Sequence, residues 1–207
     1  MQLIKFNNYL KVSEELPSHL KYVDYMAVRE LPEAHYRRIT KPIGKSLSEK
    51  TRARLAIRDR ILLDLMWESG GRVGDVVRLR KEHFDFRTNI LTLNIKKSKK
   101  TIRIPLSNEM TNLLMNYYLE FNGEPLKMTR QNAWAIVKKY GKMASLNLNP
   151  HMFRHGLGVY LFSKGADIQV IAHRLGHADP RTTAQYYCKI TPELEREYYK
   201  SRGINFR

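Results

Sequence analysis

The chain has 207 residues, of which 43% are hydrophobic, and this is enough apolar material for the core of one medium-sized domain rather than a disordered chain. Lysine and arginine number 37 against 20 aspartate and glutamate residues, and the formal net charge of +17 favours a polyanionic partner, most commonly nucleic acid. The sequence contains no apolar run approaching the roughly 20 residues of a membrane span, no secretory signal and no lipidation motif, which counts against a basic membrane-binding protein.

The chain changes character near residue 46. Residues 1–45 are interrupted by prolines and a glycine, and we expect them to form an N-terminal arm or the remnant of a linker. Residues 46–207 are expected to form the main domain. Ser46 and Glu49 have the spacing of a capping box, which predicts that the first helix begins there.

The first helix is predicted to end at Ser69-Gly70-Gly71, because glycines stop helices. A second, short helix is predicted from Arg72 to about Arg80. Three strands are predicted next, at 83–86, 90–95 and 101–106, where apolar and polar residues alternate. The residues of the first helix that should be buried are Leu55, Ile61, Leu62, Leu65 and Met66.

The two longer strands are joined by a lysine-rich segment, residues 96–100, and are therefore predicted to form a hairpin with a cationic tip. From Ser107 onward the pattern indicates helices. We expect a mainly α fold with a small three-stranded antiparallel sheet. The predicted later helices cover 130–144 with Thr129 as the cap, a span from Pro150 to about Gly165, then 167–175, 180–187 and 192–201.

Arg72 is the first candidate functional residue, because it directly follows two glycines at a predicted helix start. Glycine lets the backbone approach a ligand closely, and a helix N-terminus favours anions. Taken locally, the pattern favours an ordinary surface arginine. Asp75 lies three residues later, within reach of Arg72 on the same helical face.

The hairpin is the second candidate, because five of the ten residues 94–103 are lysine or arginine. Charges of one sign repel each other, so this concentration indicates an anionic partner, although a solvated turn is the plainer alternative. The candidate DNA-binding residues are Lys96, Lys99, Lys100 and Arg103.

Two histidine segments supply the remaining candidates. His151 and Arg154 share a helical face and together could hold the oxygens of one phosphate. His177 closes a Leu-Gly-His sequence and is followed by Tyr186 and Tyr187. A tyrosine can act as a covalent nucleophile toward phosphorus when cations stabilise its developing phenolate.

A zinc site is the competing interpretation of the histidines, since His151/His155 and His173/His177 are both i,i+4 pairs. Neither pair carries the glutamate of an HExxH motif, and the only cysteine is elsewhere. Arginines flank the histidines, which favours an anionic ligand over a metal, so we expect no cofactor and no metal.

Together these features resemble the tyrosine recombinase (phage integrase) family, over a span from about residue 55 to 190. The family pattern of an arginine after a glycine-containing segment is matched by Arg72, and its hairpin lysine by Lys97, eight residues before Pro105. Its His-x-x-Arg-His and Leu-Gly-His motifs are matched by 151–155 and 175–177. Its Thr-Thr-x-x-Tyr ending is matched by 182–186, with Tyr186 nine residues after His177, the family spacing, which favours it over Tyr187.

This resemblance implies a catalytic domain that cuts and rejoins double-stranded DNA through a 3′-phosphotyrosyl link to Tyr186, without ATP. It implies that Arg72 and Arg154 bind the non-bridging phosphate oxygens, that His151 and His177 add hydrogen bonds, and that Lys97 protonates the leaving 5′-oxygen. The hairpin turn carries lysines where relatives often have glycines, so Lys96 or Lys99 is an alternative acid. The helical DNA-clamp domain of most relatives is not recognisable in residues 1–50.

The resemblance also implies a homotetramer on DNA, and it leaves a monomer open as the state of the free chain. A type IB topoisomerase, which reseals the same strand, and a non-catalytic DNA-binding module are the alternatives. The module would not need the complete set of cations and tyrosine. Cys188 is the only cysteine, which excludes an intrachain disulfide and favours a reducing compartment. We therefore expect a cytoplasmic, nucleoid-associated protein.

Overall fold

The part of the chain that the structure describes is mainly helical and contains one small sheet, as the sequence predicts. A computed structural model describes residues 31–32, 48–96, 98–177, 179, 181 and 183. Helices and strands in the described residues run in this order: α1 Glu49–Ser69, α2 Val73–Val76, a 3-10 turn Lys81–His83, β1 Phe84–Asp85, β2 Ile90–Ile95, β3 Lys100–Pro105, α3 Asn108–Phe121, α4 Arg130–Met143, α5 Pro150–Ser163 and α6 Ile168–Leu175.

Side-chain caps fix where the longer helices begin, because each cap oxygen accepts a backbone N–H that the first turn leaves without a partner. Thr129 caps α4 by accepting from Asn132 N, which confirms the predicted cap. Helix α1 is capped by Ser48, which accepts from Thr51 N, and so begins after Ser48 rather than at the predicted Ser46. The remaining caps are Ser107, Asn149 and Asp167.

The sheet is antiparallel in the order β1-β2-β3, and its register places one apolar face on the core. Leu91 pairs with Ile104 and Leu93 pairs with Ile102, and all four side chains are buried. Arg103 lies on the opposite, exposed face of β3. The alternation that predicted the strands therefore also separates the packed face from the cationic one.

Helix α2 is shorter than predicted, since it ends at Val76 instead of about Arg80. After Val76 the chain leaves the helix so that Val77 and Leu79 are both buried in the core. The Arg80 guanidinium donates to Val77 O and Leu79 O at 3.1 and 2.7 Å, which satisfies carbonyls that a continued helix would have used. Tertiary packing thus overrides the helical pattern here.

Three helices converge at Gly70, the residue that ends α1 with a left-handed φ of 60°. A Cβ added to Gly70 would lie 2.9 Å from both Leu157 of α5 and Leu175 of α6. Only glycine fits both the backbone angle and this close approach. The packing therefore brings the start of α2, the middle of α5 and the end of α6 to one point.

Several predictions concern segments outside the described residues. These are nearly all of the arm over 1–45 and the helix predicted at 192–201, while only residues 181 and 183 of the predicted 180–187 helix are described. Within the described part of the chain, no helix has the length and apolar character that crossing a membrane requires.

Candidate active site

Arg72 lies at the junction of α1 and α2, where it is the N-cap residue of α2 in an extended conformation. The preceding Gly71 is held by a hydrogen bond from its N–H to Ser69 Oγ at 3.0 Å, and Ser69 Oγ in turn donates to Leu65 O. A Cβ on Gly71 would lie 3.2 Å from Leu93 Cδ2 of the sheet, so the loop packs closely on β2. The close backbone approach that these glycines predict is therefore made to the sheet and to α1.

Arg154 reaches the same loop from α5. Its side chain is buried, with 6% exposed, and Nη1 donates to Gly70 O at 2.6 Å across 84 positions of sequence. Because Gly70 O lies at the end of α1, where carbonyls lack helical partners, this bond satisfies the helix end and fixes the guanidinium. Arg154 is thereby held against the loop that carries Arg72.

His177 is the next candidate residue, and it follows the end of α6 directly after Gly176, which has the left-handed conformation. Its Nδ1 lies 2.6 Å from Thr183 Oγ1, a buried hydroxyl. Burial is the main cause that lowers the pKa of His177 to about 4, and the charges of Arg154 and Arg72 lower it further. At neutral pH the ring is therefore uncharged, and when Thr183 donates to Nδ1, Nε2 carries the proton and can donate to an anion.

His151 faces the same arginines from the first turn of α5, where it is exposed. Its backbone N–H is held by the Asn149 side chain at 3.0 Å. Desolvation first, then the charges of Arg154, Arg72 and Arg130, lower the pKa of His151 below its ordinary value of 6.5. A neutral imidazole at the surface of a cationic cluster can accept a proton, which a charged one cannot.

Asp75 is buried and does not pair with Arg72, contrary to the prediction from helical spacing. Its carboxylate instead pairs with Arg78 and accepts the backbone N–H of Lys96 at 3.3 Å. Arg72 is the N-cap of α2 rather than a residue inside it, so its side chain leaves the face that carries Asp75. Asp75 thus anchors the hairpin turn to α2, next to the position that Lys97 occupies in the sequence.

The predicted DNA-binding residues of the hairpin lie on its exposed surface. Lys96, Lys99 and Lys100 surround the turn, and Arg103 lies further along β3. Lys99 has a φ of 51°, the left-handed angle that a tight turn demands. The hairpin therefore presents a cationic tip, as the sequence predicts.

Arg130 is a cationic residue near the cluster that the sequence analysis does not identify. It is the first residue of α4, and its Cδ would lie 3.3 Å from a Cβ placed on Gly74, so it lies against α2, where its charge acts on His151. A cation in the first turn opposes the helix dipole, and α4 has no acidic residue there to compensate. That mismatch is the signal in the sequence that could have drawn attention to Arg130.

Lys97, Tyr186 and Tyr187 lie outside the described residues. Their assignments as general acid, nucleophile and alternative nucleophile therefore stay predictions. Within the described residues no three histidine, cysteine, aspartate or glutamate side chains are grouped as metal ligands are, so the two histidine pairs do not form a shared site there.

Comparison with known proteins identifies the family that the sequence motifs resemble. The model of the phage integrase family matches residues 37–193. Tyrosine recombinase XerA of Pyrococcus horikoshii is 31% identical over 177 residues, covering 77% of this chain. The chain spans 62% of the length of that relative.

Solved structures share the fold. The XerH site-specific recombinase bound to difH substrate superposes with a TM-score of 0.65 at 20% identity, covering 89% of this chain and 54% of that one. The catalytic domain of bacteriophage HP1 integrase superposes with a TM-score of 0.56 at 18% identity, covering 86% of this chain and 93% of that one. At these identities the likeness concerns the fold.

Proposed function

Because the chain belongs to the phage integrase family, we propose that it is a site-specific DNA recombinase that cleaves and rejoins strands through a 3′-phosphotyrosyl intermediate on Tyr186. The observation that carries this proposal is the meeting of Arg72, Arg154, His151 and His177, hereafter the cationic cluster, from three separate helix ends. Two arginines beside two neutral histidines suit a phosphodiester, whose charge the arginines balance while the histidines exchange hydrogen bonds with it.

In the cleavage step Tyr186 attacks the scissile phosphorus, a P–O bond to tyrosine forms, and the bond to the 5′-oxygen breaks. Arg72 and Arg154 bind the non-bridging oxygens and stabilise the negative charge that grows on them in the transition state. The anchored position of Arg154 supports this role, because donors that are already oriented need not reorganise during the reaction.

Two proton transfers complete the step. His151, whose pKa is lowered first by desolvation and then by the nearby arginines, accepts the tyrosine proton, and His177 donates a hydrogen bond to a phosphate oxygen. Lys97 protonates the departing 5′-oxygen. A 5′-hydroxyl of a second duplex then attacks the phosphotyrosine, so the bond energy is retained and neither ATP nor a metal is needed.

The cationic hairpin and Arg130 support double-stranded DNA as the partner. The exposed residues Lys96, Lys99, Lys100 and Arg103 are proposed to contact backbone phosphates. XerH, which has the same fold, was solved bound to its difH substrate. We further propose that residues 46–207 are the catalytic domain, that four copies act on two duplexes, and that the protein works at the nucleoid.

The test is to trap the covalent adduct on a suicide DNA substrate, in excess EDTA, with Tyr186→Phe and its neighbour Tyr187→Phe as the control. Tyr186→Phe should abolish the adduct and keep DNA affinity, because only the nucleophilic oxygen is removed. If only Tyr187→Phe loses the adduct, the nucleophile is Tyr187 instead of Tyr186. An adduct that forms only with added metal would contradict the proposed mechanism.

A second assay separates recombination from topoisomerase activity. The chain is given supercoiled plasmid in one reaction and paired target sites in another. Strand exchange between the paired sites supports the recombinase, whereas relaxation of the plasmid without any exchange between partners would support a type IB topoisomerase.

A further inference from the structure

We propose that Glu68 and Arg174 act together as a clamp that positions the catalytic segments against one another, an inference that rests on the proposed function. The segments are the Gly70–Arg72 loop, the hairpin and the turn that carries His177. Both residues bind the same short stretch of chain, 105–107, where β3 ends.

Glu68 supplies one half of the clamp. It lies near the end of α1, four residues before Arg72, and uses both carboxylate oxygens on Ser107. Oε2 accepts the Ser107 N–H at 2.9 Å, and Oε1 accepts the Ser107 hydroxyl at 2.6 Å. This bidentate contact fixes the exit of the hairpin to the helix whose end presents the Arg72 loop.

Arg174 supplies the other half. It lies in the last turn of α6, three residues before His177, and Nη1 donates to Pro105 O at 3.0 Å. The side chain is half-buried, and burial lowers the pKa of Arg174 while the nearby carboxylate of Glu68 raises it. The two clamp residues therefore lie close enough for their opposite charges to support each other.

The turn after α6 is held against the hairpin at a second point. A Cβ on Gly176 would lie 2.0 Å from Ile95 Cδ1, at the end of β2 nearest the lysine-rich turn. Arg174 holds the base of the hairpin and Gly176 contacts the end near its tip, so the hairpin cannot shift without moving the turn before His177. Glu68 then ties this unit to the Arg72 loop.

The clamp is therefore expected to act on His177 and not on DNA directly. His177 has Arg72, Arg154 and His155 as its charged or titratable neighbours, and Thr183 as its hydrogen-bond partner. When the turn loosens, the imidazole becomes more hydrated and lies further from the arginines. The pKa of His177 therefore reports the position of its imidazole. Burial favours the neutral ring, so a loss of burial raises this pKa.

The experiment measures three quantities in Arg174→Leu of the full chain: DNA affinity, the single-turnover cleavage rate at saturating DNA, and the His177 titration by NMR without DNA. We expect unchanged affinity, a cleavage rate reduced about tenfold or more, and a His177 pKa raised toward 6.5. Arg174→Lys, which keeps a donor for Pro105 O, should recover most of the rate.

Arg80→Leu is the matched control, because Arg80 also donates to backbone carbonyls, but to those of Val77 and Leu79, which lie outside the three segments. Wild-type cleavage and titration in Arg174→Leu, or equal changes in Arg80→Leu, would overturn the clamp. If Arg174→Leu does not fold, Glu68→Gln decides by the same three measurements, since it keeps an acceptor for Ser107 and removes the charge facing Arg174.

A double variant tests whether the two residues act as one. Glu68→Gln/Arg174→Leu should lose no more cleavage rate than the more severe single variant, whereas independent contributions would multiply. The NMR titration needs no cleavage, so it tests the clamp even if the wild-type chain forms no DNA adduct, the result that would refute the proposed function instead.

Discussion

The cationic cluster and the hairpin tip are both rich in positive charge, but they hold that charge differently. Arg154 is 6% exposed and is fixed by Gly70 O, and His177 is fixed by Thr183. Lys96, Lys99 and Lys100 are exposed on a turn that Asp75 fixes through the backbone of Lys96. In the cationic cluster, the side chains of Arg154 and His177 are anchored. In the hairpin tip, the backbone is anchored and the lysine side chains are exposed.

This difference predicts that the cationic cluster and the hairpin tip have different functions. Anchored donors stabilise a transition state, because their geometry is set before the reaction begins. Exposed lysines contribute mainly long-range attraction that salt screens. Lys97 is the predicted exception, a hairpin residue with a chemical role, and it gives the largest expected effect.

Lys97→Ala should reduce cleavage of normal DNA by about 10²–10⁴-fold, the usual contribution of a general acid. Replacing the scissile 5′-bridging oxygen with sulfur should restore the rate, because a thiolate leaves without a proton. The measurement is single-turnover cleavage of the two substrates. If sulfur restores Lys96→Ala or Lys99→Ala instead, the acid is a neighbouring lysine, and if it restores none of them the tip only binds DNA.

Arg154→Ala should reduce cleavage by about 10²–10³-fold, and sulfur should not restore it, since the lost interaction is with non-bridging oxygens. It should also lower the free energy of unfolding by about 1–3 kcal/mol, because Gly70 O loses its buried donor. Cleavage of both substrates and urea denaturation check this, with the exposed Arg103→Ala as the control. If sulfur restored cleavage by Arg154→Ala, the assignment of Arg154 to the non-bridging oxygens would be wrong.

Substituting Lys99 and Lys100 together with alanine should weaken DNA binding and flatten its salt dependence. Each phosphate contact contributes about −0.9 to the slope of log affinity against log salt for duplex DNA. The slope should therefore become shallower by up to about 1.8, while cleavage at saturating DNA stays close to wild type. An unchanged slope would mean that the tip does not contact phosphates.

His151 gives the smallest effect, a change in titration. Its pKa lies below 6.5 in the folded protein, so the ring stays neutral as pH falls until that lowered pKa is reached. Arg130→Met removes one of the charges that lower it and should move the pKa upward, whereas Arg103→Met should not. NMR titration of the free protein checks both, and equal shifts would show that His151 senses net charge only.

Local signals in the sequence predict much of this fold. Thr129 caps α4 as predicted, and the alternation in residues 90–95 is the buried and exposed pattern of β2. The glycines at 70 and 71 mark the loop that presents Arg72, since a left-handed φ and a close approach both require glycine at Gly70. These features depend on neighbours within a few residues, which the sequence displays directly.

Contacts between distant segments could not be predicted in this way. The bond from Arg154 to Gly70 O spans 84 positions and that from Arg174 to Pro105 O spans 69, and periodicity carries no information on such pairs. Asp75 has the helical spacing to meet Arg72, but Arg72 caps α2 and the buried carboxylate meets Arg78 and the hairpin instead. The motif resemblance identifies candidate residues, and only the fold shows what holds Arg154 and Asp75 in place.

The hydrogen bond between Arg154 and Gly70, which are far apart in sequence, has a consequence for storing the protein. Since the Arg154 guanidinium meets the Arg72 loop only when segments 84 positions apart are joined, the unfolded chain lacks the proposed phosphate site. An ion such as sulfate that binds the cluster would therefore bind the native state alone and shift the folding equilibrium by mass action. At a hundred times its dissociation constant such an ion would add about 2.7 kcal/mol to the free energy of unfolding, so a simple salt would hold the chain folded in the absence of DNA.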